Sequence, residues 1–254
     1  MNWLLLRGLT REQAHWGQFP DSLRRLHGGS AVACLDLPGC GTEHARRSPA
    51  NLEAITDDLR ARWLKRPEAE RRRFGILGIS MGGMIAIDWC HRFPEDFESL
   101  VLVNSSAANL SPPHERIRPV ALAHLPRLLM NRNLEERERK ILELTTRLPA
   151  ERIRELAREY AEVARSRPVL RGTLAIQLWA ASRFRCPKPL RAPVLVVSGA
   201  RDLFTSPSCS RHLSEQLGAR LIVHPDAGHD LPLEYPEWLA DSLPRLAAAR
   251  QRQV

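Results

Sequence analysis

Short apolar runs alternate along the chain with segments in which apolar residues recur at helical spacing. This alternation is typical of a parallel β-sheet that is covered by helices. The runs are apolar on both faces, as expected for strands buried inside a parallel sheet. We predict strands at Trp3–Arg7, Ala31–Leu35, Phe74–Ile79, Leu100–Asn104, Val194–Ser198 and Arg220–His224.

Helical patterns lie between and after these runs. They occur at about Trp16–Leu26, Leu52–Leu64, Gly83–Arg92, Pro207–Leu217 and Pro236–Ala249. Because consecutive parallel strands need crossover connections, this order of elements predicts an α/β fold. Its core is a mainly parallel sheet of about six strands flanked by helices.

The alternation stops between residues 109 and 190, where no strand pattern occurs. Pro119 and Pro126 are expected to interrupt a first helix there, because proline removes a helical hydrogen bond. From Leu134 to Arg165 apolar residues recur at three- to five-residue spacing, which predicts an amphipathic helical stretch. A further helix is expected at Leu170–Phe184.

The chain therefore divides into an α/β core, residues 1–108 and 191–254, and a helical insertion, residues 109–190. Charge divides in the same way. The formal net charge is +9, and the insertion alone holds 15 Arg and 2 Lys against 9 Glu. The core is therefore almost neutral, and the excess of positive charge belongs to the insertion.

Composition excludes several classes of protein. No apolar run approaches the roughly 18 residues of a membrane helix, and Met1–Arg7 lacks the features of a signal peptide. The five cysteines form no close pair, so we expect no disulfide framework, no metal site and a cytoplasmic location. The high pI comes without a nucleic-acid recognition motif, and no phosphate loop or dinucleotide fingerprint implies a cofactor.

The strongest chemical signal is Gly78-Ile79-Ser80-Met81-Gly82, which joins a buried strand pattern to a helix pattern. Gly-x-Ser-x-Gly in this context indicates a nucleophile elbow, a tight and strained turn that exposes the serine hydroxyl. Gly78 and Gly82 lack the side chains that would obstruct such a turn. The helix N-terminus at Ser80 also favours negative charge that develops during a reaction.

Two candidate partners of Ser80 follow later strands. Asp202 comes just after the strand Val194–Ser198, and His229 lies in the loop after the last strand. The chain order of serine, acid and histidine is the order of the α/β-hydrolase triad. We therefore predict Ser80 as nucleophile, His229 as general base and Asp202 as the acid that orients the histidine.

Other residues compete for these roles. His224 is expected to end a strand, where its role is structural. Asp226 and Asp230 flank the candidate histidine but are too local to reach its far nitrogen. The core strand that precedes Val194–Ser198 ends in Asn104-Ser105-Ser106, which offers no carboxylate, and this favours Asp202 as the acid.

With these motifs the chain resembles the α/β-hydrolase superfamily over essentially its whole length outside the insertion. Leu4-Leu5-Leu6-Arg7-Gly8-Leu9 is similar to the apolar strand and His-Gly that open most members, and Asp36-Leu37-Pro38-Gly39-Cys40-Gly41 is similar to the family's Asp-x-Pro-Gly-x-Gly turn. The resemblance implies an oxyanion hole formed by the N–H groups of Leu9 and Met81. It also implies that residues 109–190 form a helical cap, or lid.

Arg7 departs from the family pattern, which has histidine at this position. The entrance to the oxyanion loop must therefore be held in a different way. Arg11, Glu12, His15 and Trp16 follow closely. Two interpretations of these residues stay open: they support the loop, or they form a solvated start of a helix.

A serine at the elbow argues against the haloalkane dehalogenases and epoxide hydrolases of this superfamily, which use aspartate. We expect a carboxylesterase-like serine hydrolase that cleaves a small-molecule carboxylic ester or thioester through an acyl-enzyme. An alternative of a different class is a non-catalytic ligand-binding member of the fold. The complete set of Ser80, Asp202 and His229 argues against that alternative.

The charge of the insertion has two interpretations. Its arginines form a solvated face with Glu–Arg pairs, such as Glu151 and Glu155 beside Arg154 and Arg158. Alternatively, the basic cap docks an acidic partner. On this second interpretation the enzyme is a hydrolase or acyltransferase that acts on an acyl group linked to an acyl carrier protein or to coenzyme A.

Overall fold

A computed structural model describes residues 1–67, 74–170, 172–188 and 190–243, without the side chains of residues 125–130. Within these ranges six strands form one parallel sheet in the order β2-β1-β3-β4-β5-β6. The strands are β1 (Asn2–Leu6), β2 (Val32–Cys34), β3 (Phe74–Ile79), β4 (Ser99–Val103), β5 (Val194–Gly199) and β6 (Arg220–His224). The predicted α/β fold with a six-stranded parallel sheet is confirmed.

Helices flank the sheet and fill the insertion. In chain order they are α1 (Phe19–Leu26), α2 (Leu52–Leu64), α3 (Met81–Arg92), α4 (Pro113–Arg116), α5 (Pro119–Met130), α6 (Leu134–Thr145), α7 (Ala150–Ser166), α8 (Thr173–Arg183), α9 (Pro207–Leu217), α10 (Leu231–Glu234) and α11 (Pro236–Ser242). The predicted first helix begins three residues late, because Gln13–Trp16 forms a separate 3-10 turn that ends at Gly17. The end of the helix predicted at 236–249 lies outside the described residues.

The insertion lies between β4 and β5 and contains α4 to α8. Pro119 begins α5 instead of interrupting a helix, because proline at the first helical position removes an N–H that has no helical partner anyway. The helix also continues past Pro126, so the predicted interruption there is wrong. The stretch predicted from Leu134 to Arg165 is two helices, since the backbone is extended at Thr146.

Separate apolar cores lie on the two faces of the sheet and in the insertion. On one face Trp63 and Trp89 each make an edge-to-face contact, with Phe74 and Phe97 respectively. The insertion has a small core of its own, made by Leu142, Ile153, Leu156, Ala157 and Tyr160. Because these side chains come from α6 and α7, burial of their apolar stripes holds the two helices together as a pair.

Candidate active site

Ser80 joins β3 to α3 in a backbone conformation that side-chain-bearing residues rarely adopt, with φ 56° and ψ −122°. The turn is tight on both sides. A Cβ at Gly78 would lie 2.2 Å from the carbonyl oxygen of Gly82, and a Cβ at Gly82 would lie 2.3 Å from the carbonyl oxygen of Leu6. Only glycine fits at these two positions, so the strain at Ser80 is imposed by close backbone packing.

Backbone and hydroxyl groups of the next strand hold the elbow. The Ser80 N–H donates to the Val103 carbonyl at 2.9 Å, and the Ser105 hydroxyl donates to the Ser80 carbonyl at 2.8 Å. The N–H of Met81 lies in the first turn of α3, where helical N–H groups have no acceptor within the helix. Such a group is available to a developing negative charge beside Ser80.

The other predicted oxyanion residue belongs to the loop after β1. A Cβ placed on Gly8 would lie 3.0 Å from the Ser80 Cβ, so this loop passes directly beside the serine. Leu9 follows Gly8 and lines the same cavity as Ser80. The structure therefore brings Leu9 and Met81 to Ser80 from two separate segments.

His229 and Asp202 meet at the carboxyl edge of the sheet. The Nδ1 atom of His229 lies 2.7 Å from Oδ2 of Asp202, and both side chains are buried. The other carboxylate oxygen of Asp202 accepts the N–H groups of Phe204 at 2.7 Å and Thr205 at 2.9 Å. Asp202 is thus held by its own loop, and Nε2 is the ring nitrogen of His229 that does not contact Asp202.

Asn104 holds the loop that carries His229. It has φ 46°, and its side-chain amide donates to the carbonyls of Gly228 at 3.1 Å and His229 at 2.8 Å. Its amide oxygen accepts the N–H of Gly199 at 2.9 Å. The sequence indicated only that this position offers no carboxylate, so the supporting role of Asn104 was missed. A turn-forming polar residue at a strand end was the available signal.

Arg7 forms a bidentate ion pair with Asp230, at 2.8 Å and 2.6 Å, and both side chains are buried. The guanidinium carbon of Arg7 also lies 4.8 Å from the ring centroid of Trp16. His15 and Trp16 are buried as well, so the interpretation of this segment as a solvated helix start is wrong. It supports the loop after β1, as the other interpretation held.

Glu234 joins the histidine loop to the insertion. One carboxylate oxygen accepts the N–H of Gly228 at 2.8 Å, and the other accepts the N–H of Arg147 at 2.7 Å. Burial raises the pKa of Glu234 to about 7, although the two N–H donors act in the opposite direction. No pattern in the sequence marked Glu234, because both of its partners are backbone groups that only the fold brings near.

A cavity of about 320 Å³ adjoins Ser80 and His229. Apolar side chains from core and insertion make up much of its lining: Leu9, Ile79, Ile141, Leu144, Val163, Val169, Leu170, Leu174, Leu178 and Phe204. Arg137 and Arg167 of the insertion line it too. The cavity therefore combines an apolar surface suited to an acyl chain with charged side chains of both signs.

Charged side chains beside this cavity are paired. Arg11 contacts Glu138 of α6 at 2.5 Å, and Arg167 contacts Glu12 at 2.8 Å, so both pairs join the core to the insertion. Burial lowers the pKa of His15 well below its usual value, with Arg11 acting in the same direction. His15 is therefore neutral near pH 7.

Exposed arginines of α7 are only partly paired. Arg152 contacts Glu155 at 2.9 Å, whereas Arg158 reaches Glu135 of α6 at 3.4 Å instead of a carboxylate in its own helix. Arg154 has no carboxylate partner among the residues that the structure describes. The pairs expected around Arg154 and Arg158 within one helix were therefore wrong, because the side chain of Arg158 extends to the neighbouring helix.

Other reactive groups are poorly suited to catalysis. Burial raises the pKa of the Cys34 and Cys40 thiols to about 12, and that of Cys186 and Cys209 to about 11, so few thiolates form near pH 7. No cluster of candidate metal ligands occurs in the described part of the chain. Across the same residues, no helix combines the length and apolar character required to span a membrane.

Comparison with known proteins shows the family of the chain. The family described as "Alpha/beta hydrolase family" matches residues 3–242. The pimeloyl-[acyl-carrier protein] methyl ester esterase of Neisseria meningitidis serogroup C is 27% identical over 234 residues, 89% of this chain and 88% of that protein. The protein of the same name from Nitrosomonas europaea is 26% identical over 249 residues, 92% of this chain and 90% of that protein.

Solved structures show the same fold. An enol-lactonase from Burkholderia xenovorans LB400 superposes with a TM-score of 0.76 at 20% identity, covering 97% of this chain and 91% of that chain. A bacterial membrane phospholipase A superposes with a TM-score of 0.74 at 22% identity, covering 99% of this chain and 79% of that chain. At these identities the likeness is one of fold alone.

Proposed function

The chain belongs to the alpha/beta hydrolase family and is an ester-cleaving hydrolase, and from that premise we propose that Ser80, His229 and Asp202 form its catalytic triad. One observation carries the proposal. His229 is hydrogen-bonded to Asp202 at 2.7 Å and lines the same cavity as Ser80, which stands on a strained glycine-flanked turn.

The reaction follows from this placement. Nε2 of His229 takes the Ser80 hydroxyl proton as the oxygen attacks the ester carbonyl, and Asp202 stabilises the resulting imidazolium. The N–H groups of Leu9 and Met81 stabilise the oxyanion. His229 then protonates the departing alcohol, which leaves an acyl group on Ser80. A water molecule, activated by His229, attacks the acyl carbonyl and releases the acid and the free serine.

We also propose that residues 109–190 act as a cap that shapes the acyl pocket. The insertion provides Ile141 and Leu144 from α6, Val163 from α7, and Leu174 and Leu178 from α8 to the cavity wall. Core residues provide the reacting groups. Chemistry and substrate selection are thereby divided between core and insertion.

A second candidate concerns what the acyl group is attached to. The substrate that we infer is an ester whose acyl group is linked to an acidic carrier protein or coenzyme A. The insertion has 15 Arg and 2 Lys against 9 Glu, and two of these arginines, Arg137 and Arg167, line the cavity. The esterases similar to this chain are named for an acyl-carrier-protein substrate. Five free cysteines suit the cytoplasmic location that this substrate requires.

The triad is tested by hydrolysis of a chain-length series of p-nitrophenyl esters, comparing wild type with Ser80→Ala. We expect turnover by the wild type and a loss of about 10⁶-fold in the variant. A fluorophosphonate probe should label Ser80 in the wild type. Failure of both turnover and labelling would show that the chain is a ligand-binding member of the fold instead.

The carrier is tested by charge reversal. Arg152, Arg154 and Arg158 are changed together to Glu, and three exposed arginines of the core, Arg25, Arg191 and Arg201, are changed likewise as the matched control. We expect KM for a carrier-linked ester to rise about tenfold or more in the cap variant only, with KM for a short free ester unchanged. Equal KM values in all three proteins at low salt would exclude docking on α7.

A further inference from the structure

We propose that Arg7 and Asp230 are positioning residues, which together align the oxyanion loop (residues 7–10) with the histidine loop (residues 225–230). The proposal rests on the proposed function, since it concerns how the reacting groups of that site are aligned. It also accounts for the arginine that stands where the family has histidine.

The geometry of the pair is suited to fixing orientation. Nη1 of Arg7 donates to Oδ1 of Asp230 at 2.8 Å, and Nη2 donates to Oδ2 at 2.6 Å. A guanidinium that meets a carboxylate through two parallel hydrogen bonds fixes both the distance and the angle between them. The side chains are 5% and 6% exposed, so water does not compete for these bonds.

Each partner lies next to a residue of the proposed site in the sequence. Arg7 directly precedes Gly8 and the oxyanion residue Leu9, and Asp230 directly follows His229. The two partners are 223 residues apart in sequence. A shift of either loop would therefore move an oxyanion donor or the general base relative to Ser80, and the ion pair opposes that shift.

Further contacts hold the pair in place. The Trp16 ring packs against the guanidinium of Arg7, and the N–H of Asp230 donates to the Thr145 carbonyl at the end of α6 at 2.8 Å. Arg11, held by Glu138, supplies additional positive charge near Asp230. The pair is thus joined to the core on one side and to the insertion on the other.

Stability alone is a weak explanation for such a pair. Removing two charges from water costs free energy, and apolar replacements of buried ion pairs are often neutral or stabilising. Asn104 and Glu234 already hold the histidine loop through side-chain hydrogen bonds. The bidentate pair adds a fixed orientation between two loops that must both meet the reacting carbonyl.

The test compares the double variant Arg7→Met/Asp230→Asn with a matched control, Arg60→Met/Asp96→Asn. The control removes another two-bond Arg–Asp pair, at 2.7 Å and 3.3 Å, whose residues do not line the cavity. Neither double variant leaves a buried charge without its partner. We measure kcat and KM for a p-nitrophenyl ester, the second-order rate of Ser80 labelling by a fluorophosphonate, and the folded fraction.

We expect kcat and the labelling rate to fall about 100-fold in the Arg7/Asp230 variant, with KM little changed, because misplaced reacting groups slow the chemical step more than binding. The control variant should keep wild-type rates per folded molecule. The single variant Arg7→Lys retains the charge without the two-pronged geometry. It should stay folded and still show most of the fall in kcat that the double variant shows.

Wild-type rates per folded molecule in the double variant or in Arg7→Lys would overturn the positioning role. So would an equal loss of rate in the control. The labelling rate does not depend on which ester is the physiological substrate. The test therefore separates the positioning role of Arg7 and Asp230 from the proposed function. A wild-type protein that is not labelled at Ser80 would instead overturn the proposed function, and the present inference with it.

Discussion

The elbow that carries Ser80 and the loop that carries His229 are fixed in different ways. The elbow is held by steric exclusion, because backbone atoms approach Gly78 and Gly82 so closely that no side chain fits. The histidine loop is held by hydrogen bonds from polar side chains: Asn104, which is buried and distant in sequence, and Glu234, which is partly buried and follows the loop closely. One site thus combines a strained turn fixed by close packing with a loop fixed by side-chain hydrogen bonds.

This difference has physical consequences. Steric exclusion does not depend on pH, and it fails when a single atom is added. Buried polar contacts tolerate small changes in shape, but they depend on charge and protonation. The elbow and the histidine loop should therefore respond differently to the same kind of mutation.

The largest effect is expected from Asp202, whose carboxylate contacts Nδ1 of His229. In Asp202→Asn the amide in place of Oδ2 faces Nδ1 of His229 and favours the wrong tautomer. We expect kcat to fall about 10⁴-fold with little change in the melting temperature. A pH–rate profile and thermal unfolding measure both effects. A loss below about tenfold would show that another group orients His229.

Glycine-to-alanine substitution at one position of the elbow and one of the histidine loop compares the two segments directly. In Gly82→Ala the new methyl would lie 2.3 Å from the Leu6 carbonyl oxygen, and we expect a loss of about 3 kcal/mol in stability and about 100-fold in kcat. In Gly228→Ala the nearest atoms, Thr145 O and Glu234 Oε1, are 2.9 Å and 3.0 Å away. We expect a smaller loss of stability there, about 1 kcal/mol, because both contacts are longer than the one at Gly82.

Urea unfolding and steady-state kinetics of the two glycine variants provide the measurement. Equal losses in both variants would contradict the contrast between the loops.

A smaller effect is expected from Asn104, which makes three buried hydrogen bonds between β5 and the histidine loop. Asn104→Ala leaves the Gly199 N–H without its acceptor, and we expect a loss of about 2 kcal/mol in stability and about tenfold in kcat. Asn104→Gly is the control, because glycine accommodates φ 46° without strain. It should be more stable than the alanine variant and equally slow. Recovery of kcat in Asn104→Gly would assign the effect to backbone strain.

The smallest effect is a pH dependence that only the histidine loop should show. The pKa of Glu234 is about 7 in the folded chain against a usual value of 4.5, so the folded chain binds a proton that the unfolded chain has released. Protonated Glu234 therefore stabilises the folded chain fully below its unfolded pKa of 4.5, and this stabilisation is lost as the pH rises through the folded pKa of about 7. Between about pH 5 and about pH 8 we therefore expect the melting temperature to fall less in Glu234→Gln than in the wild type. Parallel curves would show that Glu234 does not titrate in this range.

The elbow could be predicted from sequence because its determinants are adjacent residues. Gly78, Ser80 and Gly82 lie within five positions, after an apolar run and before a helical pattern. The six strands could be predicted for a related reason, since a strand buried on both faces is apolar at nearly every position. Both features are local, and local patterns are what a single sequence displays.

The supports of His229 could not be predicted, because they depend on contacts that only folding creates. Arg7 and Asp230 are 223 residues apart, and nothing in either neighbourhood indicates the other. Glu234 bonds to backbone N–H groups, which every residue except proline has. Helix boundaries in the insertion failed similarly, since a continuous apolar pattern from Leu134 to Arg165 does not reveal the break at Thr146.

The backbone contacts at the end of α6 bear on how this enzyme can evolve. The Thr145 carbonyl accepts the N–H of Asp230, and Glu234 accepts the N–H of Arg147, so the insertion is fastened directly beside His229, the proposed general base. If the insertion selects the substrate as proposed, exchanging it for one from another hydrolase would change the selected substrate and loosen the histidine in the same step. Laboratory evolution of new substrate ranges should therefore preserve residues 145–147 and diversify α7 and α8, where a mutation alters the pocket without reaching the base.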